Sequence, residues 1–239
     1  MGEAVSRLVA NRSDANIVAG IDINTSAVKE FPVYSSIGEF SGKADVIVDF
    51  SHHSALPALL DYAVSTATPL VVCTTGHTGE ELELMKKASE KVAVFFSGNM
   101  SIGINLLMEL CRQAAKTLGM SFDIEIIEKH HNKKLDAPSG TALMIADALS
   151  EERESTEYVY DRHTERRLRE PAEIGIHSVR GGTIVGEHEV IFAGNNEMIT
   201  ISHSAMSREI FAEGAVRAAV YVSDKTVGMF NMSDVIHRK

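Results

Sequence analysis

The sequence predicts an α/β protein with a doubly wound parallel sheet, followed by a second, mixed α/β domain whose sheet is largely antiparallel. Three observations point there. Short continuous apolar runs alternate with amphipathic helical stretches through the first hundred residues. Later runs are strand-like and separated by glycine-rich turns. Hydrophobic residues make up 44% and charged residues 23%, which is ordinary globular usage.

The first segment, residues 1 to 10, already reads as a helix, with Val5, Leu8 and Val9 apolar. Residues 17–21, 45–50, 70–73 and 92–96 are short and apolar, as suits strands covered on both faces. Between them, 54–67 carries Leu56, Leu59, Leu60, Ala63 and Val64 on one helical face. Residues 78–91 place Leu82, Met85 and Ala88 together, and Thr78 with Glu81 predicts a capping box. Strand and helix in regular alternation argue for a doubly wound sheet.

The pattern changes after Ile102. A long apolar helix is expected over 102–118, a strand over 122–129 and a short helix over 141–149. Residues 151–171, with Arg162, Arg166, Arg167 and Arg169 among acidic neighbours, read as a solvated loop. Strands over 174–180, 183–192 and 198–203 are separated by Gly181-Gly182 and Gly194-Asn195-Asn196, which predicts an antiparallel meander. A final amphipathic helix covers 208–222. The domain boundary falls near Met100: residues 1–100, joined by 209–239, form the first domain and 101–208 the second.

A length of 239 residues allows one large domain or two modest ones. The net charge of −10 speaks against nucleic-acid binding, which needs a basic face. No apolar stretch approaches the ~20 residues of a membrane helix, and the start lacks the apolar segment of a signal peptide. Two cysteines, Cys73 and Cys111, with no CxxC, suit a reducing cytoplasm and argue against a disulfide framework.

The densest polar cluster runs from Glu128 to Thr141. His130 and His131 adjoin at a strand end, and Lys134 follows; each can donate a proton near neutral pH if its surroundings tune it. Pro138-Ser139-Gly140-Thr141-Ala142 then opens a helix, whose free N–H groups and flanking hydroxyls suit an anion. Acids beside a carboxylate cradle describe a site for a small acidic molecule. Blander readings stand beside this one: loop histidines as surface polarity, and Ser139 as an N-cap alone. A metal site from Glu128, His130 and His131 is disfavoured, because adjacent residues on an extended chain point apart.

The run Glu128 to Ala142 resembles the signature of the dihydrodipicolinate reductase family, E-x-H-H-x-x-K-x-D-x-P-S-G-T-A, at every fixed position. Asp49-Phe50-Ser51, Thr74-Thr75-Gly76, the segment Asn99 to Asn105, Arg180-Gly181-Gly182, Gly186-Glu187-His188 and Ser207-Arg208 resemble further family positions. The resemblance implies a Rossmann-like first domain and a homotetramer built through the open sheet of the second. It implies reduction of dehydrated 4-hydroxy-tetrahydrodipicolinate with NADH or NADPH, in lysine and diaminopimelate biosynthesis. Hydride adds to a conjugated C=C–C=N system, and the product carbanion or enamine is protonated. Carried over by position, His130 is proton donor or acceptor and Lys134 proton donor. His131 contacts substrate, and Ser139, Gly140 and Thr141 hold a substrate carboxylate at the helix start.

Cofactor residues follow the same resemblance. Asp22, at the end of an expected strand, takes the place of the acidic residue that binds the adenosine ribose. Ile23 follows it where a basic residue would favour NADPH, so NADH is the expected cofactor. Cys73, Thr74 and Thr75, with Ser97, Gly98, Asn99 and Met100, match the remaining nucleotide loops, Cys73 replacing a glycine.

One departure stands out. The family opens with a strand and a glycine fingerprint, of which Met1-Gly2 resembles only the end; Asp22 follows Gly2 by about 20 residues, as the acidic partner should. The expectation is that Met1 is an internal methionine of a longer chain, or else that the first strand is lacking and cofactor binding suffers. Two alternatives to the reductase are a dicarboxylate-binding paralogue without catalysis and another nicotinamide-dependent reductase on a related scaffold.

Overall fold

The computed structural model describes residues 1–26, 29–164 and 166–237. The first elements are α1 (Gly2–Val9), β1 (Gly20–Ile21), β2 (Val33–Tyr34), β3 (Ile47–Asp49), α2 (Leu56–Thr66), β4 (Leu70–Val72), α3 (Gly79–Ser89) and β5 (Ala93–Phe96). Next come α4 (Ile102–Leu118), β6 (Asp123–His130), α5 (Gly140–Ser150), β7 (Glu157–Val159), β8 (Glu173–Arg180), β9 (Gly186–Ala193) and β10 (Met198–Ala205). The chain closes with α6 (Glu209–Val222), β11 (Gly228–Phe230) and α7 (Met232–Ile236). It divides into two compact units, Met1–Ser101 with Glu209–Lys239, and Ile102–Arg208.

The first unit is the Rossmann-like one. Its main sheet is wholly parallel, in the order β11-β5-β4-β3. Val71, Val72, Val94 and Phe95 are fully buried, which is why these strands read as unbroken apolar runs. Leu56, Leu60 and Ala63 of α2 and Met85 of α3 pack on the same core. The Thr78–Glu81 capping box is present at the start of α3.

Four elements depart from expectation in this unit. The strand expected over 17–21 shortens to Gly20–Ile21, and the two-residue β2, the edge strand β11 and the short α7 are additional. None of these three reaches the length at which periodicity is legible. β1 and β2 form their own parallel pair, with no ladder to β3 among the described residues. The parallel sheet therefore stands in two pieces. Arg238 and Lys239, at the end of the segment expected to rejoin this domain, lie outside the described residues.

The second unit is a five-stranded mixed sheet, β10-β9-β6-β8-β7. Ile124, Ile126, Ile174, Ile176, Val190 and Phe192 form its buried face, joined by Ile104, Leu107 and Met108 of α4 and Ile145 and Leu149 of α5. The expected meander is corrected here. β9 and β10 pair as an antiparallel hairpin, but β8 does not pair with β9. β6 lies between them, antiparallel to β9 and parallel to β8. Gly181-Gly182 is not a hairpin turn, because its backbone bonds to the end of β6: Gly181 N–H donates to the His130 carbonyl at 2.9 Å, and Asn132 N–H to the Gly182 carbonyl at 3.2 Å.

The solvated loop expected over 151–171 is corrected in part, since most described residues of 160–171 are exposed and irregular. It contains β7, which pairs with β8 at the sheet edge. Three of the four arginines named there are committed to the protein: Arg162 and Arg167 both pair with the buried Glu173 carboxylate. Arg169 reaches Asp123 at 2.7 Å and Glu125 at 3.1 Å. The mixed charges that suggested solvent instead neutralise carboxylates on β6 and β8, as a buried charge requires.

Candidate active site

Side chains on a strand alternate between faces. On β6 the buried row Ile124 and Ile126 therefore continues to Glu128, which is fully buried at the strand's end. An unpaired carboxylate could not remain ionised there. Four close hydrogen bonds reach Glu128, besides that of the Ser178 hydroxyl. Its Oε1 accepts from Arg180 Nη2 at 2.7 Å and from the Ser139 backbone N–H at 3.1 Å. Its Oε2 meets Arg180 Nη1 at 2.7 Å and His130 Nδ1 at 2.6 Å. Burial alone would raise its pKa, but hydrogen bonds from Arg180, His130, Ser178 and Ser139 prevail and hold it down to about 2.

His130 shares the face of Glu128, two residues on. Its ring stands edge to face with that of His188, centroids 5.2 Å apart. A Cβ added to Gly186 would lie 3.1 Å from His130 Nε2, so that nitrogen is turned toward a position without a side chain. Adjacent His131 is half-buried, and its carbonyl accepts from Lys134 N–H at 3.1 Å. The Lys134 ammonium pairs with Asp136 at 2.9 Å.

Ser139 caps α5. Its Oγ accepts from Ala142 N–H at 3.1 Å and meets His188 Nε2 at 3.1 Å. With its own N–H on Glu128, the buried Ser139 spends its polar groups on the protein. Gly140 is exposed, with no atom within 4 Å of where a Cβ would stand, and Thr141 follows in the first turn. The structure thus gathers Glu128, His130, Ser139, Arg180 and His188 into one cluster, with Lys134 on the loop that leaves it.

Two members, Arg180 and His188, had no role in the sequence reading, and neither had His203 on the next strand. Arg180 stands opposite His130 in the β6–β8 register, and His188 opposite Glu128 in the β6–β9 register. His203 stands opposite His188 in the β9–β10 register. Resemblance had marked Arg180 and His188 as family positions, but nothing local ties them to a residue about 50 positions away. His188 is nearly fully buried; burial first, then the neighbouring His130 charge, holds its pKa down to about 4. Burial also lowers that of His203.

In the first unit the nucleotide candidates follow the carboxyl ends of parallel strands. Asp22 lies just past β1, exposed, with Oδ1 accepting from Asn24 N–H at 2.9 Å. Past β4, Thr74 Oγ1 donates to the buried Asp49 carboxylate at 2.8 Å, which ties the β3 and β4 loops together. Thr75 is exposed, and Gly76 turns the chain with φ +81°. Cys73 is buried beside Asp49, and burial first, then that charge, pushes its thiol pKa well up. Past β5, Ser97 Oγ donates to the Asn99 carbonyl at 2.8 Å, Gly98 is half-buried and Met100 is buried. Gly2 opens α1 at the surface. In open α/β sheets ligands bind beyond the carboxyl ends of the strands. An exposed carboxylate past β1, together with hydroxyl- and glycine-bearing loops past β4 and β5, fits the ribose and phosphates of a dinucleotide.

Among the described residues no helix is long and apolar enough to cross a membrane, and no group of three or more His, Cys, Asp or Glu could hold a metal ion.

Comparison with known proteins bears on both units. Residues 1–100 match the profile for the dihydrodipicolinate reductase N-terminus, and residues 103–236 that for its C-terminus. A 4-hydroxy-tetrahydrodipicolinate reductase from Caldanaerobacter subterraneus subsp. tengcongensis is 52% identical over 239 residues, covering 100% of this chain and 94% of its own. One from Clostridium tetani is 45% identical over 240 residues, covering 99% of this chain and 93% of its own. Among solved structures, the dipicolinate-bound dihydrodipicolinate reductase from Paenisporosarcina sp. TG-14 superposes with a TM-score of 0.80 at 26% identity, covering 96% of this chain and 92% of that one. With both halves matched and the signature cluster assembled around Glu128, the chain belongs to the dihydrodipicolinate reductase family.

Proposed function

We propose that this protein reduces dehydrated 4-hydroxy-tetrahydrodipicolinate to tetrahydrodipicolinate with a nicotinamide cofactor, in lysine and diaminopimelate biosynthesis. The observation that carries the reading is the bridge made by Glu128. One buried carboxylate holds both the imidazole of His130 and the residue that opens α5. A proton-transfer group is thereby fixed beside a helix start, which favours an anion. The relatives named above carry the same activity in their names, and the Paenisporosarcina protein binds dipicolinate, a dicarboxylate.

In this reading the unit Met1–Ser101 with Glu209–Lys239 holds the dinucleotide, and the second unit holds the substrate. The cofactor supplies hydride to the C=C–C=N system. Gly140 and Thr141 hold a substrate carboxylate at the start of α5, with His131 beside it; Ser139 acts as their cap. His130 and Lys134 move the protons, with Lys134 kept in reach by Asp136. Gly2, Thr74, Thr75, Ser97, Gly98, Asn99 and Met100 shape the phosphate and nicotinamide loops, and Cys73 contributes through its backbone. Asp22 takes the adenosine ribose hydroxyls. NADH is preferred over NADPH, because a carboxylate repels a 2′-phosphate and the neighbouring Ile23 offers no cation.

Two further features belong to this proposal. Homotetramer assembly is supported by β10, an edge strand with Met198 and Ile199 exposed. A reducing cytoplasmic location is supported by the two buried free thiols. The test is NADH oxidation by this chain with freshly generated substrate. Turnover that vanishes in Lys134→Ala supports the reductase; dicarboxylate binding without turnover would favour the non-catalytic paralogue.

A further inference from the structure

We infer that Glu128 is a positioning residue for His130: it fixes which ring nitrogen carries the proton, and Arg180 keeps it in the form that can do so. The inference rests on the reductase reading for its consequence, but not for its geometry.

An ionised carboxylate has about four lone-pair sites and no proton to give. Glu128 meets Arg180 twice, the Ser139 N–H and His130 Nδ1, all at hydrogen-bond distance. It can only accept, so Nδ1 must carry hydrogen. The neutral imidazole is then the Nδ1–H tautomer, with Nε2 bare and turned toward Gly186. His130 can take a proton at Nε2 and give the same proton back, which is what a donor to a developing carbanion needs. Glu128 also stabilises the imidazolium while it lasts. Arg180 contributes separately: without it a fully buried carboxyl would gain a proton and could then donate to Nδ1 instead. The same carboxylate fixes Ser139, so proton position and helix start are set by one group.

Glutamine is the informative replacement. Its single carbonyl is needed by Arg180 Nη2 and Ser139 N–H on the Oε1 side. That places the amide NH2 toward His130, where it donates to Nδ1, and the bond from Arg180 Nη1 on that side is lost. The tautomer reverses and Nε2 carries hydrogen in the neutral ring. A wrong tautomer is expected to lower kcat by about 100-fold or more, with KM changed little, since the carboxylate-binding N–H groups remain.

The experiment is 15N NMR of the histidine rings in the full chain at alkaline pH, with the His130 signal assigned by its loss in His130→Asn. The expected wild-type result is Nδ1–H with unprotonated Nε2. Protonated Nε2 in the wild type overturns the inference whether or not any variant folds. In Glu128→Gln the expected result is reversal of the tautomer together with the loss in kcat. Retention of Nδ1–H with wild-type kcat also overturns it. The ring measurement needs no substrate, so failure of the reductase reading would show separately, as a wild-type protein without turnover.

Discussion

His188 Nε2 lies 3.1 Å from Ser139 Oγ, joining the middle strand pair of the second unit to the residue that caps α5. The two are 49 positions apart, and both are buried. Folding therefore holds a histidine in a place that resists its charge. Its pKa is held down to about 4, from an ordinary value of 6.5, by burial first and by His130 second. The unfolded chain gains a proton there as pH falls below 6.5, while the folded chain does not until about 4. Stability is fully present above that window and is lost through it, by about 3 kcal/mol. Denaturant unfolding followed from pH 8 downward, to about pH 4, should show this slope, and His188→Gln should flatten it. An equal slope in both proteins would remove His188 as its source.

The pair of Glu128 with Arg180 predicts a different loss. Arg180→Met leaves a fully buried carboxylate without its bidentate partner. Breaking a buried pair costs about 3–5 kcal/mol, or roughly 10 °C in Tm for a chain of this size. Arg7 with Glu209, at 3.5 Å and largely exposed on both sides, is the control: Arg7→Ala should shift stability by less than about 1 kcal/mol. Similar thermal shifts in both variants would contradict the burial argument.

These relationships mark where sequence reading succeeds and stops. The Thr78–Glu81 capping box, the apolar runs of β4 and β5, and the Ser139 cap are local, and local spacing showed them. The signature from Glu128 to Ala142 placed the candidate site because its residues are contiguous. The partners that give the site its electrostatics are not. Arg180 and His188 reach Glu128 and Ser139 only because β6 enters between β8 and β9, a register that no local pattern encodes. The same topology defeated the meander, since a glycine pair between two strands signals a hairpin whether or not a third strand intervenes. Charge misled in the 151–171 run, where arginines that looked solvated neutralise Glu173, Asp123 and Glu125.

Gly214 of α6 tests the loop after β5. A Cβ built there would collide with the Met100 carbonyl, so the helix can lie against that loop only with glycine at this position. Gly214→Ala should push the Asn99–Met100 segment aside, at about 1–3 kcal/mol. If that segment helps bind the dinucleotide, KM for NADH rises along with the fall in Tm, while dicarboxylate binding by the second unit is unchanged. A fall in Tm with wild-type KM would remove Met100 from the cofactor site.

Cofactor preference is the sharpest test of Asp22. Ile23 is 98% exposed, so its side chain supports nothing in the fold and can be replaced without structural loss. Ile23→Arg places a guanidinium beside the position where the reading puts a 2′-phosphate, and Arg suits phosphate recognition by its fork of donors. One such contact, worth ~1.4 kcal/mol, corresponds to about a tenfold lower KM for NADPH. The NADH value should move little, because Asp22 keeps its carboxylate for the ribose hydroxyls. Parallel kinetics with the two cofactors, at unchanged Tm, check this. An unaltered NADPH to NADH ratio would mean that the adenosine ribose does not lie at the end of β1, and the cofactor assignment built on Asp22 would have to be withdrawn.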